Sequence, residues 1–404
     1  MNVLVVSQYY YPEPFRINEL CEEFVNRGHN VTVLTANPNY PDGEIYQDYK
    51  NEYKFEIING VNVYRIKCRP RHKGSLALAL NYIEFCIRAT YFVSKIDEKI
   101  DCVFSYQLSP ITSSIPAIRY KKKNNVPMLL YCLDVWPESI RDSALDRAPF
   151  FKIIKEISKW VYTQADLLAI SSPSFSLYLS DLCGLDSNDI SFIPQHSKKI
   201  DVVNQVSHEL SKYKEFVNFV FMGNIGESQD VECIIKAVSN IKDRSNFKIH
   251  IVGSGSYLNI CKRVSKRLKT EDTVVFHGRR PTNEMPLYYS IADVCLVSLK
   301  DKGIVGYTIP GKLQEYMSAG KAILGCINGD AASVIMESGC GLCVNAGDDK
   351  KLAEKIQLMA KNKKCLKEYG LNAKKYYIKN FTLEVCVNKL EKKLLQLVEM
   401  TKEK

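Results

Sequence analysis

Short apolar runs alternate with amphipathic stretches along nearly the whole chain. The run "NVLVVSQ" is followed by Phe15 to Arg27, whose apolar positions recur at helical spacing and stop at Gly28, and then by "HNVTVLTA". In "FEIINGVNVYRIKC" an Asn-Gly sits between two alternating segments, which predicts a β-hairpin. A helical pattern runs from Leu76 to Lys95. "DCVFSY", a helix to Lys123, "VPMLLYCLD", a helix ending near Ala165, "ADLLAISS" and "DISFIPQ" complete this first series. After a polar stretch from His196 to Tyr213 the alternation restarts, with "VNFVFMGN", "FKIHIVGSG", "TVVFHG", "ADVCLVSL", "KAILGCI" and "GLCVNA" each separated by a helical pattern. Strand–helix repetition twice over predicts an α/β chain of two doubly wound Rossmann-like domains, residues 1–197 and 198–380, with a last helix over 381–404. Ligands of such sheets sit at the C-terminal strand ends, so the site is expected in a cleft between facing domains.

Composition narrows this picture. A chain of 404 residues is long for one core, and 46% hydrophobic with 25% charged residues is ordinary for a globular protein. No apolar run approaches the ~20 residues of a membrane span. "MNVLVVSQ" enters a strand-like run without a basic leader, so the expected location is cytoplasmic. The fourteen cysteines are scattered, mostly inside apolar runs, and behave there as small hydrophobes. The lone C-x-x-C, Cys340 to Cys343, reads as the start of a strand, and the histidines show no ligand spacing, so no metal is expected. The net charge of +10 suits phosphorylated ligands or an anionic membrane. No nucleic-acid motif is recognisable, so nucleic acid is not an expected partner.

The strongest chemical signal is "GYTIPGKLQEYMSAGKAI", Gly306 to Ile323. A Gly/Pro loop runs into a short helix on which Lys312 and Glu315, three apart, share one face. A helix start and an ammonium suit a phosphate; a carboxylate suits vicinal hydroxyls. The competing reading is an exposed ion pair on a surface helix. Three further strand ends join it: Gly223, Asn224 and Gly226 in "FMGNIGESQD", Gly253 and Gly255 in "IVGSGS", and Arg279 and Arg280 in "FHGRRP". Glycine after a strand is often only a turn. Together these features make a nucleotide-diphosphate pocket the better reading.

At these residues the chain resembles glycosyltransferase family 4, of the two-domain GT-B fold. "FMGNIGESQDVE", "FHGRRPTNEMPLYYSIADVCLVSL" and "YTIPGKLQEYMSAGKAIL" are similar to the branch of L-fucosamine-transferase-like proteins that build bacterial O-antigen and capsule. "SQYYYPEP", "INELCEEFVNRGHNVTVLTANPNYPDG" and "DVWPES" extend the resemblance through the first half. It implies metal-independent, cofactor-free transfer of a sugar, such as an N-acetylated aminosugar, from a UDP-sugar with retention of configuration. The acceptor implied is a polyprenyl-diphosphate-linked saccharide. It implies that the helix opened by Gly311 and Lys312 faces the donor diphosphate, that Glu315 binds the ribose, and that the last helix returns to the first domain.

The chain departs from the family in three places. Tyr307 replaces the first Glu of the Glu-x7-Glu motif, which leaves donor-sugar contacts to Tyr307 or to the backbone of Thr308 to Gly311. Asn224 and Gln229 stand where Arg and Lys are usual. The first loop lacks Gly-Gly and offers Pro14, Phe15 and Arg16. On the acceptor side, Asp134 ends a buried-looking strand and is the candidate to orient or deprotonate the acceptor hydroxyl; bonding to the following turn is the structural alternative. Glu138 is a lesser candidate of the same kind. The basic stretch with Arg69, Arg71 and Lys73, leading into the apolar helix, reads as a peripheral contact with the anionic inner face of the plasma membrane; packing of that helix on its own sheet is the alternative. Rivals to the whole reading are a non-catalytic GT-B partner subunit and a nucleotide-sugar epimerase. A dinucleotide dehydrogenase fits poorly, because "GSGS" lacks the spacing of G-x-G-x-x-G.

Overall fold

Runs rich in Val, Ile, Leu and Phe form strands that are buried on both faces, as parallel sheets covered by helices require. In the computed structural model, which describes residues 1–72, 74–141, 146–203 and 207–402, the chain forms two units. The first is Met1–Pro194 with Leu383–Lys404, the second Gln195–Thr382. The divisions therefore fall at Pro194/Gln195 and Thr382/Leu383, a few residues from 197/198 and 380/381, and the polar stretch after His196 belongs to the second unit.

The first unit runs β1 (Asn2–Val6), α1 (Ile17–Asn26), β2 (Asn30–Ala36), β3 (Lys54–Ile58), β4 (Val61–Ile66), α2 (Ser75–Phe92), β5 (Cys102–Gln107), α3 (Ile115–Asn124), β6 (Met128–Cys132), α4 (Ala148–Thr163), β7 (Leu167–Ile170), α5 (Phe175–Cys183) and β8 (Ser191–Phe192). Its sheet has the order β3-β4-β2-β1-β5-β6-β7-β8, parallel except for the β3/β4 hairpin. Asn59 and Gly60, at φ 49° and 80°, make the tight turn that the Asn-Gly pair predicts. α1 ends where Gly28 and His29 donate to the carbonyls of Val25 and Phe24, a left-handed glycine cap that returns the chain to β2.

The second unit runs α6 (His208–Ser211), β9 (Val217–Met222), α7 (Val231–Ser239), β10 (Phe247–Val252), α8 (Leu258–Arg267), β11 (Val274–Gly278), α9 (Met285–Ile291), β12 (Val294–Ser298), α10 (Gly311–Ser318), β13 (Ala322–Cys326), α11 (Gly329–Ser338), β14 (Gly341–Val344), α12 (Asp349–Lys361) and α13 (Lys363–Asn380). The strand order is β11-β10-β9-β12-β13-β14, all parallel. Strand order reverses at β9 and β12, so the loops following them flank the point where such sheets take ligands. The last helix, α14 (Leu383–Lys402), belongs to the first unit. Val387, Leu390 and Leu394 join a core containing Val5, Phe24 and Tyr131, and Glu391 pairs with Arg27 at 2.7 Å and His29 at 2.6 Å.

One expectation needs correcting. The segment Ser75–Lys95 is 21 residues long, long and apolar enough to cross a membrane by length and composition alone. Asn81, Glu84 and Arg88 interrupt the run, which hides its length from a search for continuous apolar residues. Asn81, Phe85 and Ala89 are buried along one side of α2, while Leu76, Leu80, Ile83, Ile87 and Tyr91 are exposed along another.

Candidate functional site

In the second unit the loops after three neighbouring strands are stitched together through their backbones. Gly223 donates to Val252, Ile225 to Ser254, Tyr257 to Ile225 and Gly253 to Gly278, at 2.8–2.9 Å. Glycine is required at this seam. At Gly253, φ is +147° and a Cβ would lie 1.8 Å from the Gly223 carbonyl oxygen. A pocket of about 270 Å³ opens here, lined by Gly223, Asn224, Gly253, Ser254, Arg279 and Met285 among others.

α10 is clamped beside this seam by one residue. The Tyr316 hydroxyl, fully buried, accepts from the Met222 N–H at 2.8 Å and donates to its carbonyl at 3.2 Å, tying the helix to the end of β9. Leu313 and Met317 bury the same side. This anchoring carries the Lys312 ammonium over the Phe221 ring, 3.7 Å from its centre, and within 3.7 Å of where a Cβ on Gly223 would stand. Part of the Lys312 stem meets solvent, but its Nζ is buried with no hydrogen-bond partner among the described residues. Burial pulls its pKa down to about 7, and the Glu315 charge pulls it partly back. An exposed Lys312–Glu315 surface pair is therefore excluded. A buried, unsatisfied cation at a helix start is costly unless an anion completes it.

The remaining donor-side candidates divide into those that face the pocket and those already engaged. Arg279 is exposed and lines the pocket. Arg280 lines it too, but its guanidinium reaches Glu209 at 3.2 Å and Glu284 at 3.7 Å. Asn224 and Gln229 are paired: Gln229 Oε1 accepts from Asn224 Nδ2 at 3.1 Å and from the Gly226 N–H at 3.0 Å. They brace the loop where cations would otherwise stand. Tyr307 and Thr308 are half-buried in the loop before α10, with Tyr307 packed so closely on Gly329 that a Cβ there would meet it at 2.4 Å. Gly311 opens α10.

The first unit presents its candidates at the C-terminal ends of β1, β2, β4, β5 and β6. The Asp134 carboxylate accepts from the hydroxyls of Ser109 and Ser139, and the Trp136 indole donates to Ser109 at 2.9 Å. Glu138 is engaged by Arg141 at 2.8 Å and the Tyr178 hydroxyl at 2.9 Å, which gives it a structural employment. Arg16 precedes α1 and is itself partnered. Arg69 pairs with Glu84 at 2.9 Å, Arg71 lies over two tyrosine rings, and Lys73 lies outside the described residues.

Glu13 was not singled out from the sequence, and it is the keystone of this edge. Its carboxylate, buried at 1% exposure, accepts from the backbone N–H groups of Asn39 at 2.8 Å, Tyr40 at 2.7 Å and Tyr10 at 3.3 Å. Burial raises its pKa to about 7 against the pull of those hydrogen bonds. An acid inside the aromatic, proline-rich loop "QYYYPEPF" was the available signal. On the outside of this unit, a groove of about 740 Å³ between α2 and α3 is lined by Cys86, Ile87, Tyr91, Lys95, Ile115 and Arg119 among others.

Residues 16–195 match the family model Glycosyltransferase Family 4, and residues 204–376 match Glycosyl transferases group 1. The chain is 23% identical to the probable glycosyltransferase WbjE of Pseudomonas aeruginosa over 60% of its own length and 62% of that protein's, just under two thirds. Its fold is similar to that of sucrose-phosphate synthase from Thermosynechococcus elongatus, with a TM-score of 0.75, 17% identity and 99% of both chains covered. It is also similar to Anabaena HepE in complex with UDP, with a TM-score of 0.69, 12% identity, and 98% and 99% of the two chains covered.

Proposed function

This chain belongs to the glycosyltransferases, with a family 4 domain followed by a group 1 domain in a GT-B fold, and from that premise we propose that it moves a sugar from a UDP-sugar onto a polyprenyl-diphosphate-linked saccharide. The product belongs to bacterial surface-polysaccharide synthesis, and the transferred sugar is an N-acetylated aminosugar. The observation that carries the donor side is the buried, unpartnered Lys312 ammonium at the start of α10 beside the Gly223 turn. A departing diphosphate satisfies it, with the first N–H groups of α10 and Arg279 sharing the charge, so the reading asks for no metal and no cofactor. Glu315 takes the ribose hydroxyls. That HepE, of the same fold, is seen with UDP supports uridine as the nucleoside.

On the acceptor side Asp134, already gathering hydroxyl donors, orients the attacking hydroxyl. With no second carboxylate assigned as nucleophile, retention proceeds by front-face attack within an ion pair: the acceptor oxygen bonds the anomeric carbon as the bond to the diphosphate breaks, and the proton leaves with the diphosphate oxygen. The exposed apolar row on α2 and the groove beside it, with Lys95 and Arg119, support a peripheral position on the inner face of the plasma membrane, in the cytoplasm.

The Asn224–Gln229 pair favours a second reading, a non-catalytic partner subunit that keeps the fold without a cationic grip. A thermal-shift panel of UDP, GDP, CDP, ADP and NAD on the wild type and Glu315→Ala separates the two. At ~100 times its dissociation constant a ligand stabilises by about 2.7 kcal/mol. UDP alone raising the melting temperature, with the shift lost in Glu315→Ala, is the expected result. No shift with any nucleotide would hand the case to the partner-subunit reading.

A further inference from the structure

Resting on the proposed reaction and deepening its acceptor side, we propose that the loops at the C-terminal edge of the first sheet form a phosphate-recognition site for the acceptor, with Arg71 as its cation and the phenols of Tyr9 and Tyr82 as hydrogen-bond donors. The basic stretch that begins within β4 holds three described arginines, and the structure treats them differently. Arg65 is fully buried and spent on Glu56 and on the carbonyls of Tyr11 and Ala36. Arg69 is spent on Glu84. The Arg71 guanidinium has no ion pair or hydrogen bond among the described residues. It lies over the rings of Tyr9 and Tyr40, 5.5 and 5.2 Å from their centres. Ring faces hold a guanidinium by its plane and leave its N–H edge unused, the edge that grips phosphate oxygens in pairs.

The platform beneath it is built to hold still. The Arg71 backbone N–H donates to Asn39 Oδ1 at 3.0 Å, and the buried Glu13 carboxylate fixes Asn39 and Tyr40. The Phe15 ring packs at 4.9 Å on Tyr9 and 5.0 Å on Tyr40. Loops after β1, β2 and β4 thus form one preorganised surface. Two buried polar atoms within it lack a hydrogen-bond partner of ordinary geometry: the Tyr9 hydroxyl, which meets the Tyr82 phenol only loosely, and Gln8 Oε1, an acceptor that suits a sugar hydroxyl rather than a phosphate oxygen. Buried polar groups without partners are uncommon enough to need a ligand or water to explain them. Tyr82 stands beside Tyr9, and its phenol feels two opposite charges, Arg71 and Asp134. Arg71 and Asp134 thus act on one phenol, which suits an acceptor that carries its phosphate and its attacking hydroxyl on one sugar. A sugar phosphorylated at its anomeric carbon has that form. The acceptor class is a short phosphoglycoside rather than a long neutral glycan.

Titration calorimetry on the full chain tests this, with UDP at saturation to occupy the donor site and inorganic pyrophosphate, farnesyl diphosphate and glucuronate as probes. Both diphosphates are expected to bind alongside UDP and to weaken as salt rises. Arg71→Gln is expected to weaken them by about tenfold or more, with UDP affinity unchanged. Arg71→Lys restores part of the loss, since charge returns without the fork, and Tyr82→Phe weakens them by roughly threefold. Diphosphates that bind only in competition with UDP would overturn the proposal, and this is read on the wild type even should Arg71→Gln fail to fold. So would an unchanged affinity in Arg71→Gln, or glucuronate binding as well as pyrophosphate. If UDP itself does not bind the wild type, the donor reading fails, while the pyrophosphate titration without UDP still reports on Arg71.

Discussion

Lys312 in the second unit and Arg71 in the first each bring a positive charge to the rim of a parallel sheet. Lys312 lies over one aromatic ring and Arg71 over two, and neither charged group is paired among the described residues. The chemistry that follows differs. A lysine answers burial by releasing its proton, and Lys312 titrates near 7. An arginine keeps its charge under the same stress, so Arg71 needs only to be aimed. Their surroundings match: a glycine seam lets backbone approach Lys312 closely, whereas rigid rings and the buried Glu13 hold Arg71. The second unit thus has a cation whose charge an arriving diphosphate can restore, and the first has a permanent one.

The largest effect expected from breaking this contrast is at the glycine seam. Gly253→Ala puts a Cβ 1.8 Å from a backbone oxygen that cannot move without unpicking the neighbouring loop. Destabilisation of the second unit by about 4 kcal/mol or more is expected in urea unfolding, with the UDP shift lost. Gly28→Ala, at φ +82° with nothing within 4 Å, is the control and should cost only about 1 kcal/mol. The next effect is on the first unit. The folded pKa of Glu13, about 7, lies above its ordinary 4.5, so its contribution is complete below pH 4.5 and is lost as pH rises through 7. The stability advantage of wild type over Glu13→Gln should therefore shrink by up to about 3 kcal/mol between pH 4.5 and 8. An advantage that grows with pH would show that the three N–H groups outweigh burial.

Much of this was legible in the sequence, and the gaps have a common cause. Strand and helix alternation, the Asn59-Gly60 hairpin and the helix bearing Lys312 and Glu315 follow from local periodicity and turn chemistry. Lys312 could not be told from a surface lysine, because its burial depends on Phe221 and on the Tyr316–Met222 clasp, remote in sequence. Asn224 and Gln229 showed as missing cations, and only the folded loop brings them into a hydrogen bond with each other. Glu13 stayed hidden because its partners are backbone N–H groups of a different loop. Arg65, Arg69 and Arg71 read alike as one basic stretch until their partners separate them. The apolar length of α2 was masked by Asn81, Glu84 and Arg88, of which only Asn81 lies on its buried side.

Lys312→Met sharpens the comparison by removing the charge and keeping the shape. An unpaired buried ammonium costs stability in the empty protein, so the variant should melt higher than wild type without ligand. It should bind UDP about a hundredfold more weakly, because the diphosphate then meets no ammonium. Stability gained together with binding lost marks a residue held for its ligand. A variant that melts lower and binds equally well would make Lys312 a packing residue.

The smallest effect is the pH dependence of UDP affinity, and its sign separates the two cations most directly. Above pH 7 the terminal phosphate of UDP is already ionised, so its own charge changes little. Empty, Lys312 loses its proton as pH rises through about 7; with a diphosphate against it the proton is held, so binding takes a proton up. Affinity should then fall by about tenfold per pH unit above 7, approaching the limit for one linked proton. The heat of binding should vary with the ionisation enthalpy of the buffer. Lys312→Arg converts the site to the permanent kind found at Arg71, and both the slope and the buffer dependence should vanish. A slope that persists in Lys312→Arg would assign the proton to another group at the rim. A flat wild-type profile would mean that the ammonium is already charged before the donor arrives.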